Sequence, residues 1–222
     1  MRVTLTAVGF MASFMSALAV PIANIESHLM RRNYTTDTSN QLTDGTACRA
    51  VTVIYARGTW EDGNVGSTTD VGLETFNDLA QIIGEDNLAL QGVDYPATAA
   101  GFEEGGDSTG SQLMANLTVQ ASTQCPNTKL VISGYSQGGQ LVHNAADLLS
   151  AEVTEFVSAV LIYGDPDNGQ PVGNISSSIV KVYCHVADGI CAGLGILTPT
   201  HGTYDKNALE AAEWIATTLG YS

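Results

Sequence analysis

The sequence predicts an α/β fold in which a central parallel sheet is covered by helices on both faces. Three observations carry this. Short apolar runs rich in Val, Ile and Tyr alternate along the chain with stretches of helical periodicity. The apolar runs are near-continuous rather than alternating, as strands buried on both faces require. No internal repeat, low-complexity stretch or linker interrupts the alternation, so one domain accounts for it.

Each element follows from its pattern. AVTVIYARG (50–58) reads as the first buried strand, and the stretch Asp70–Ile83 as a helix with Val71, Phe76, Leu79 and Ile83 on one face. LALQGVDY (88–95) is a second strand. A helix over 111–122 carries Leu113, Leu117 and Val119, after a start marked by Asp107-Ser-Thr. Then follow the strand TKLVISGY (128–135), a helix over Gln137–Leu149, the strands VSAVLIYG (157–164) and VKVYCHV (180–186), and a last helix over Asn207–Leu219. In an open parallel sheet, functional residues gather in the loops at the carboxyl ends of the strands.

The amino terminus reads differently. Arg2 precedes an apolar run through Phe10, Phe14 and Leu18, and Ala17-Leu-Ala19 supplies small residues for cleavage, so residues 1–19 are expected to be a secretory signal peptide. Residues 20–32 end in Arg31-Arg32, which predicts a propeptide removed at a dibasic site; an exposed basic pair in a frayed terminus is the alternative. A single domain then spans 33–222, with its folded core expected from about Thr46. No stretch is long enough for a membrane span.

The full chain holds 8 basic and 23 acidic residues, a formal charge of −15. Residues 1–32 hold Arg2, Arg31, Arg32 and Glu26, so the remainder carries 5 basic against 22 acidic residues, or −17. Such a surface repels nucleic acid and anionic membranes. Asn33, Asn116 and Asn174 open glycosylation sequons that become usable in a secreted chain.

Two serines stand in Gly-x-Ser-x-Gly patterns, Ser108 and Ser136. Context separates them. Ser136 lies between an apolar strand and an amphipathic helix, in a glycine-flanked turn sharp enough to push its hydroxyl outward. Ser108 lies in a polar, acidic, glycine-rich stretch and reads as a cap or loop residue. Ser136 is the candidate nucleophile.

A serine hydroxyl needs a histidine to take its proton and a carboxylate to orient that histidine. Four histidines are available. His28 falls in the expected prosegment. His143 lies two helical turns from Ser136, roughly 10 Å away along the same helix, and cannot reach it. His185 sits in an apolar strand context beside a cysteine, where a structurally satisfied histidine is expected. His201 follows a loop and precedes the last helix, which fits the order Ser, acid, His. For the acid, Asp188 lies in the segment Cys184–Cys191, and Asp165 stays open because it directly follows a strand end.

Cys48, Cys125, Cys184 and Cys191 make an even count, which in a secreted chain implies two disulfides with three possible connectivities. The spacing lets Cys184 and Cys191 close a local loop around Asp188, leaving Cys48 for Cys125. There is no CxxC pair and no His-rich helix, so no metal site is expected.

From about Cys48 to the end, the chain resembles the cutinase and acetylxylan esterase family of small secreted serine esterases. The matching pieces are Ala56-Arg-Gly-Thr59 with Gly63, Asn64 and Gly66, then Gly134-Tyr-Ser-Gln-Gly138, Cys184-x3-Asp188-x2-Cys191, and His201 shortly before Tyr204. The resemblance implies a compact α/β-hydrolase-type three-layer sandwich without a large lid and with no cofactor. It implies Ser136, Asp188 and His201 as a triad, the same two disulfides, and an oxyanion hole from the N–H of Gln137 and from Thr59. Thr59 stands where many relatives have Ser, so the hydroxyl is kept and a methyl narrows the site.

Substrate is less legible. Leu194, Ile196 and Leu197 precede His201; lining the cleft, they would suit acyl chains and an ester polymer as in cutinases, or they pack inward. Trp60 is either a floor or a rim of the site. Leu161-Ile-Tyr-Gly-Asp-Pro looks like the acetylxylan esterase pattern instead. A monomeric, secreted, cutinase-like esterase is the reading, with acetylxylan esterase as the alternative. A catalytically inactive binding protein on the same fold is a further alternative, opposed by the complete set of triad and oxyanion residues.

Overall fold

In the computed structural model, residues 34–221 are described. The expected signal peptide, propeptide and Asn33 sequon lie outside them. The sheet has five strands, all parallel: β1 (Val51–Ala56), β2 (Leu88–Gly92), β3 (Lys129–Tyr135), β4 (Val157–Tyr163) and β5 (Val180–Tyr183), in the order β2-β1-β3-β4-β5. The chain starts one strand in from an edge, adds that edge as β2, returns past β1 and winds to the other edge. The reversal lies between β1 and β3, so the loops at their carboxyl ends open a crevice there.

The period-2 side-chain alternation of each strand divides the core between the two faces. Val51, Val53 and Tyr55 of β1, Val131 of β3, and Ala159, Leu161 and Tyr163 of β4 pack with α1 (Val71–Ile83) and α6 (Ala208–Thr218). Ile54 and Ala56, Leu130 and Ile132, and Val160 and Ile162 pack on the opposite face with α3 (Ser108–Gln124) and α4 (Gln137–Asp147). That is the expected three-layer sandwich.

Several expected elements differ in extent. The helix expected over 111–122 begins at Ser108, because the Asp107 side chain accepts the Gly110 N–H at 2.7 Å and caps it. Two short helices escaped the pattern, α2 (Ala99–Glu103) and α5 (Ala151–Phe156), each too short for a periodic stripe. The last strand stops at Tyr183, opposite Tyr163, the end of β4, so His185 lies beyond the sheet rather than inside a strand.

The packed region also starts earlier than the expected Thr46. Tyr34 is buried, exchanging hydrogen bonds with the side chain of Asn77 at 2.8 and 3.0 Å, and Leu42 is buried beside β2. Asn40 forms an antiparallel bridge to Gln91. The segment covers the outer edge of β2, a role that local apolar periodicity does not announce. Among the described residues, no helix is long and apolar enough to cross a membrane.

Candidate active site

Ser136 occupies the turn between β3 and α4 at φ 55° and ψ −120°, a conformation a non-glycine residue adopts only under constraint. Two glycines make the turn possible. A Cβ at Gly138 would stand 1.9 Å from the Ala56 carbonyl oxygen, and one at Gly134 would stand 2.2 Å from that of Gly138. Helix α4 therefore presses its first turn against the end of β1. The Ser136 N–H donates to the Tyr163 carbonyl at 2.9 Å, which pins the turn to β4 as well.

His201 is buried, and its Nδ1 lies 2.8 Å from Asp188 Oδ2. Its Nε2 is buried with no hydrogen-bond partner among the described residues. Tyr135, at the end of β3, stacks on the imidazole at 5.1 Å between ring centroids and donates its hydroxyl to the His201 carbonyl at 3.0 Å. Asp188 is held by its own loop: Oδ1 accepts the N–H groups of Ile190 at 2.9 Å and Cys191 at 3.3 Å. Burial alone would raise the Asp188 carboxyl. Hydrogen bonds from Tyr204 and His201 outweigh it and hold the group below the usual carboxylate range.

The disulfides join Cys48 to Cys125 and Cys184 to Cys191, with Cα separations of 5.5 and 5.8 Å. The second closes the loop that carries Asp188. Asp165, the other candidate acid, is bonded to His143 and takes no part in this cluster. His185 points to Thr203 and Asn207, at 3.0 and 2.6 Å. Ser108 is exposed at the start of α3.

Beside the serine, the Gln137 side chain donates to Thr59 Oγ1 at 2.7 Å and to the Thr98 carbonyl at 2.8 Å. The N–H of Gln137 heads α4, at the positive end of the helix dipole. Thr59 sits in a tightly braced turn. Glu61 accepts the Gly58 N–H at 2.6 Å, Arg57 Nε donates to the Glu61 carbonyl at 2.6 Å, and the Trp60 N–H donates to the Ala97 carbonyl at 2.9 Å. Burial, reinforced by the charge of Asp70, pushes the Glu61 carboxyl up to about 8. No sequence signal pointed to Glu61, whose role depends on how this turn folds back on itself.

Ser136, His201, Thr59 and Trp60 share a cleft of about 660 Å³. Ala99, Phe102 and Glu103 of α2 form one wall, and Ile190, Leu197, Thr198 and Pro199 form the other. Of the three apolar loop residues, only Leu197 lines the cleft. All three are exposed, Leu194 at 67%, Ile196 at 58% and Leu197 at 67%, so the inward-packing alternative fails and Leu197 lies at the cleft's margin. Loop Leu194–Leu197 passes through Gly195 in the left-handed region, at φ 65°. Trp60 is 74% exposed and forms a rim rather than a floor. Phe102 and the rest of α2 were not anticipated, for want of a helical stripe in five residues.

A serine at a strand–turn–helix elbow, opening on the same cleft as a histidine bonded to a buried carboxylate, marks an α/β serine hydrolase. Comparison with known proteins narrows the class. Residues 47–219 match the model of the family described as Cutinase. The chain is 43% identical over 206 residues to a cutinase of Botryotinia fuckeliana, covering 93% of this chain and 92% of that one. It is 46% identical over 204 residues to a cutinase of Blumeria hordei, covering 92% and 80%. Among solved structures it is similar to a Trichoderma reesei cutinase in complex with a C11Y4 phosphonate inhibitor, at 39% identity and a TM-score of 0.77, covering 84% and 81%. An acetylxylan esterase shares the fold at 23% identity and a TM-score of 0.65, over 78% of this chain and all of that one.

The chain belongs to the cutinase family and is a cutinase-like serine esterase, a carboxylic ester hydrolase.

Proposed function

We propose that the chain hydrolyses aliphatic esters, from short-chain acyl esters to polyesters, with Ser136 as nucleophile, His201 as base and Asp188 as the orienting acid. The observation that carries this is that Ser136 and His201 line one cleft, with His201 Nδ1 on Asp188 and Nε2 left without a hydrogen-bond partner among the described residues. Ser136 Oγ attacks the ester carbonyl carbon while its proton passes to Nε2. The imidazolium so formed is stabilised by Asp188 through Nδ1. The tetrahedral intermediate then collapses, and the leaving alcohol takes the proton from Nε2. A water repeats the sequence in reverse on the acyl-enzyme, releasing the carboxylic acid and Ser136.

The oxyanion is held by the N–H groups of Gln137 and Thr59 together with the Thr59 hydroxyl. The Thr59 oxygen already accepts from the Gln137 side chain, which leaves its proton to be donated to the substrate. Phe102, Ile190 and Leu197 offer an apolar acyl groove, and exposed Trp60, with Leu194 and Ile196 on the loop beside Leu197, adds apolar surface suited to a hydrophobic polymer. Residues 1–19 act as signal peptide and 20–32 as propeptide, and the mature enzyme is a secreted monomer. Asn116 and Asn174 are exposed and open to glycosylation.

Labelling with an alkyl phosphonate, followed by peptide mass spectrometry, tests the site. The adduct is expected on Ser136, with Ser136→Ala inactive by several powers of ten and Ser108→Ala near wild type. An adduct on Ser108 would overturn the assignment. A panel from p-nitrophenyl acetate to palmitate, with cutin and acetylated xylan, tests the substrate; acetate and acetylated xylan as the best substrates would favour a xylan esterase instead.

A further inference from the structure

One hydrogen bond in the site has no part in the proton transfers above. The Tyr204 hydroxyl donates to Asp188 Oδ2 at 2.5 Å, to the same oxygen that faces His201 Nδ1 at 2.8 Å. With the Ile190 and Cys191 N–H groups on Oδ1, the carboxylate meets four donors, one for each lone-pair site. We propose that Tyr204 is a positioning residue that shares Asp188 with His201 and so sets the pH above which the base becomes competent. The inference rests on the proposed triad.

The phenol is aimed rather than merely buried. Its oxygen accepts the His185 N–H at 3.0 Å, and accepting one hydrogen bond strengthens the one it donates. The ring stacks on the His185 imidazole at 4.2 Å between centroids and stands edge-on to His201 at 6.1 Å. His185 is fixed in turn by Thr203 and Asn207. Tyr204 is buried, at 1% exposed. His185, set aside as a base, thus helps hold the tyrosine that holds the acid.

The electrostatic consequence has a definite sign. A donor on Oδ2 takes up carboxylate charge that would otherwise stabilise the His201 imidazolium. Tyr204 therefore favours neutral His201, the form that accepts the serine proton. The other groups facing His201 act alike with or without this donor: the Tyr135 hydroxyl on its carbonyl, and Glu61, Asp70 and Asp205 around a small cavity on its far side.

The test is the acid limb of the kcat/KM profile on a p-nitrophenyl ester, which reports the free enzyme. Tyr204→Phe should move its midpoint up by about half to one pH unit while the plateau stays within about tenfold of wild type. Fluorotyrosine installed at 204, a stronger donor of almost the same shape, should move the midpoint down. Because it preserves the packing, it decides the matter even if Phe costs the fold. A wild-type midpoint with fluorotyrosine, or with folded Tyr204→Phe, would overturn the role of Tyr204. Failure of the triad itself reads differently, as retained activity in Asp188→Asn.

Discussion

His143 Nε2 lies 3.0 Å from Asp165 Oδ2, while His143 Nδ1 lies 3.2 Å from the Pro171 carbonyl oxygen, so this pair ties α4 to the loop after β4. Asp165 Oδ1 also accepts the Asp167 N–H at 3.0 Å. The carboxylate that follows a strand end is thus committed to fastening the helix behind Ser136. The one that meets His201 is Asp188, from a loop closed by a disulfide. Two His–Asp pairs flank the same serine, and only one opens on the cleft.

The two acids are therefore expected to part on substitution. Asp188→Asn should lower kcat by several powers of ten with the melting temperature largely kept, and His201→Ala should be as damaging as Ser136→Ala. Asp165→Asn should retain most turnover and lose stability, since it weakens a buried bond. Initial rates and thermal melts on the same preparations check this; the reverse pattern would assign the acid to Asp165.

Glu61 gives the pH dependence of stability a testable sign. Its carboxyl, beside Asp70 and within reach of Arg57, is raised to about 8 by burial first and by Asp70 second. The folded state then holds a proton that the unfolded state releases in the ordinary glutamate range. This contribution to stability is lost as pH rises from that range to about 8. Urea unfolding of Glu61→Gln should show less loss between pH 5 and pH 8 than wild type. Equal slopes in the two proteins would remove Glu61 as the source.

The disulfides should differ in consequence. Cys48 and Cys125 are 77 residues apart, so Cys48→Ser releases a closure worth roughly 4 kcal/mol, with the site initially intact. Cys191→Ser frees the loop holding Asp188, whose Oδ1 the Cys191 N–H contacts. Activity should then fall more than stability. Identical loss of both quantities in both variants would remove the distinction.

Chain-length preference should depend on Leu197 and not on Leu194. Leu197 lines the cleft, whereas Leu194 stands outside it. Each methylene buried in the groove adds up to about 0.8 kcal/mol, roughly fourfold in kcat/KM, until the groove ends. Leu197→Asp should therefore depress butyrate hydrolysis much more than acetate hydrolysis, while Leu194→Asp spares both small esters. An unchanged butyrate-to-acetate ratio in Leu197→Asp would place the acyl chain elsewhere.

The sequence by itself determined the strands, the long helices, the elbow serine and the cysteine loop, because these follow from neighbours within a few residues. An apolar run, a periodic stripe or a glycine-flanked serine reads the same in any tertiary context. What the sequence left open depended on contacts between distant segments. Asp165 and Asp188 were both eligible until His143 and His201 were placed in space. The packing of Tyr34 on Asn77 spans 43 residues and leaves no local mark. Tyr204 was visible as a residue near His201, yet its bond to Asp188 exists only because the last turn before α6 folds over the disulfide loop. Leu194, Ile196 and Leu197 look alike in sequence, and only the folded loop shows that Leu197 alone of the three borders the cleft. Local patterns encode local structure. The chemistry of this site is set by which distant side chains the sheet and its loops bring within hydrogen-bonding distance.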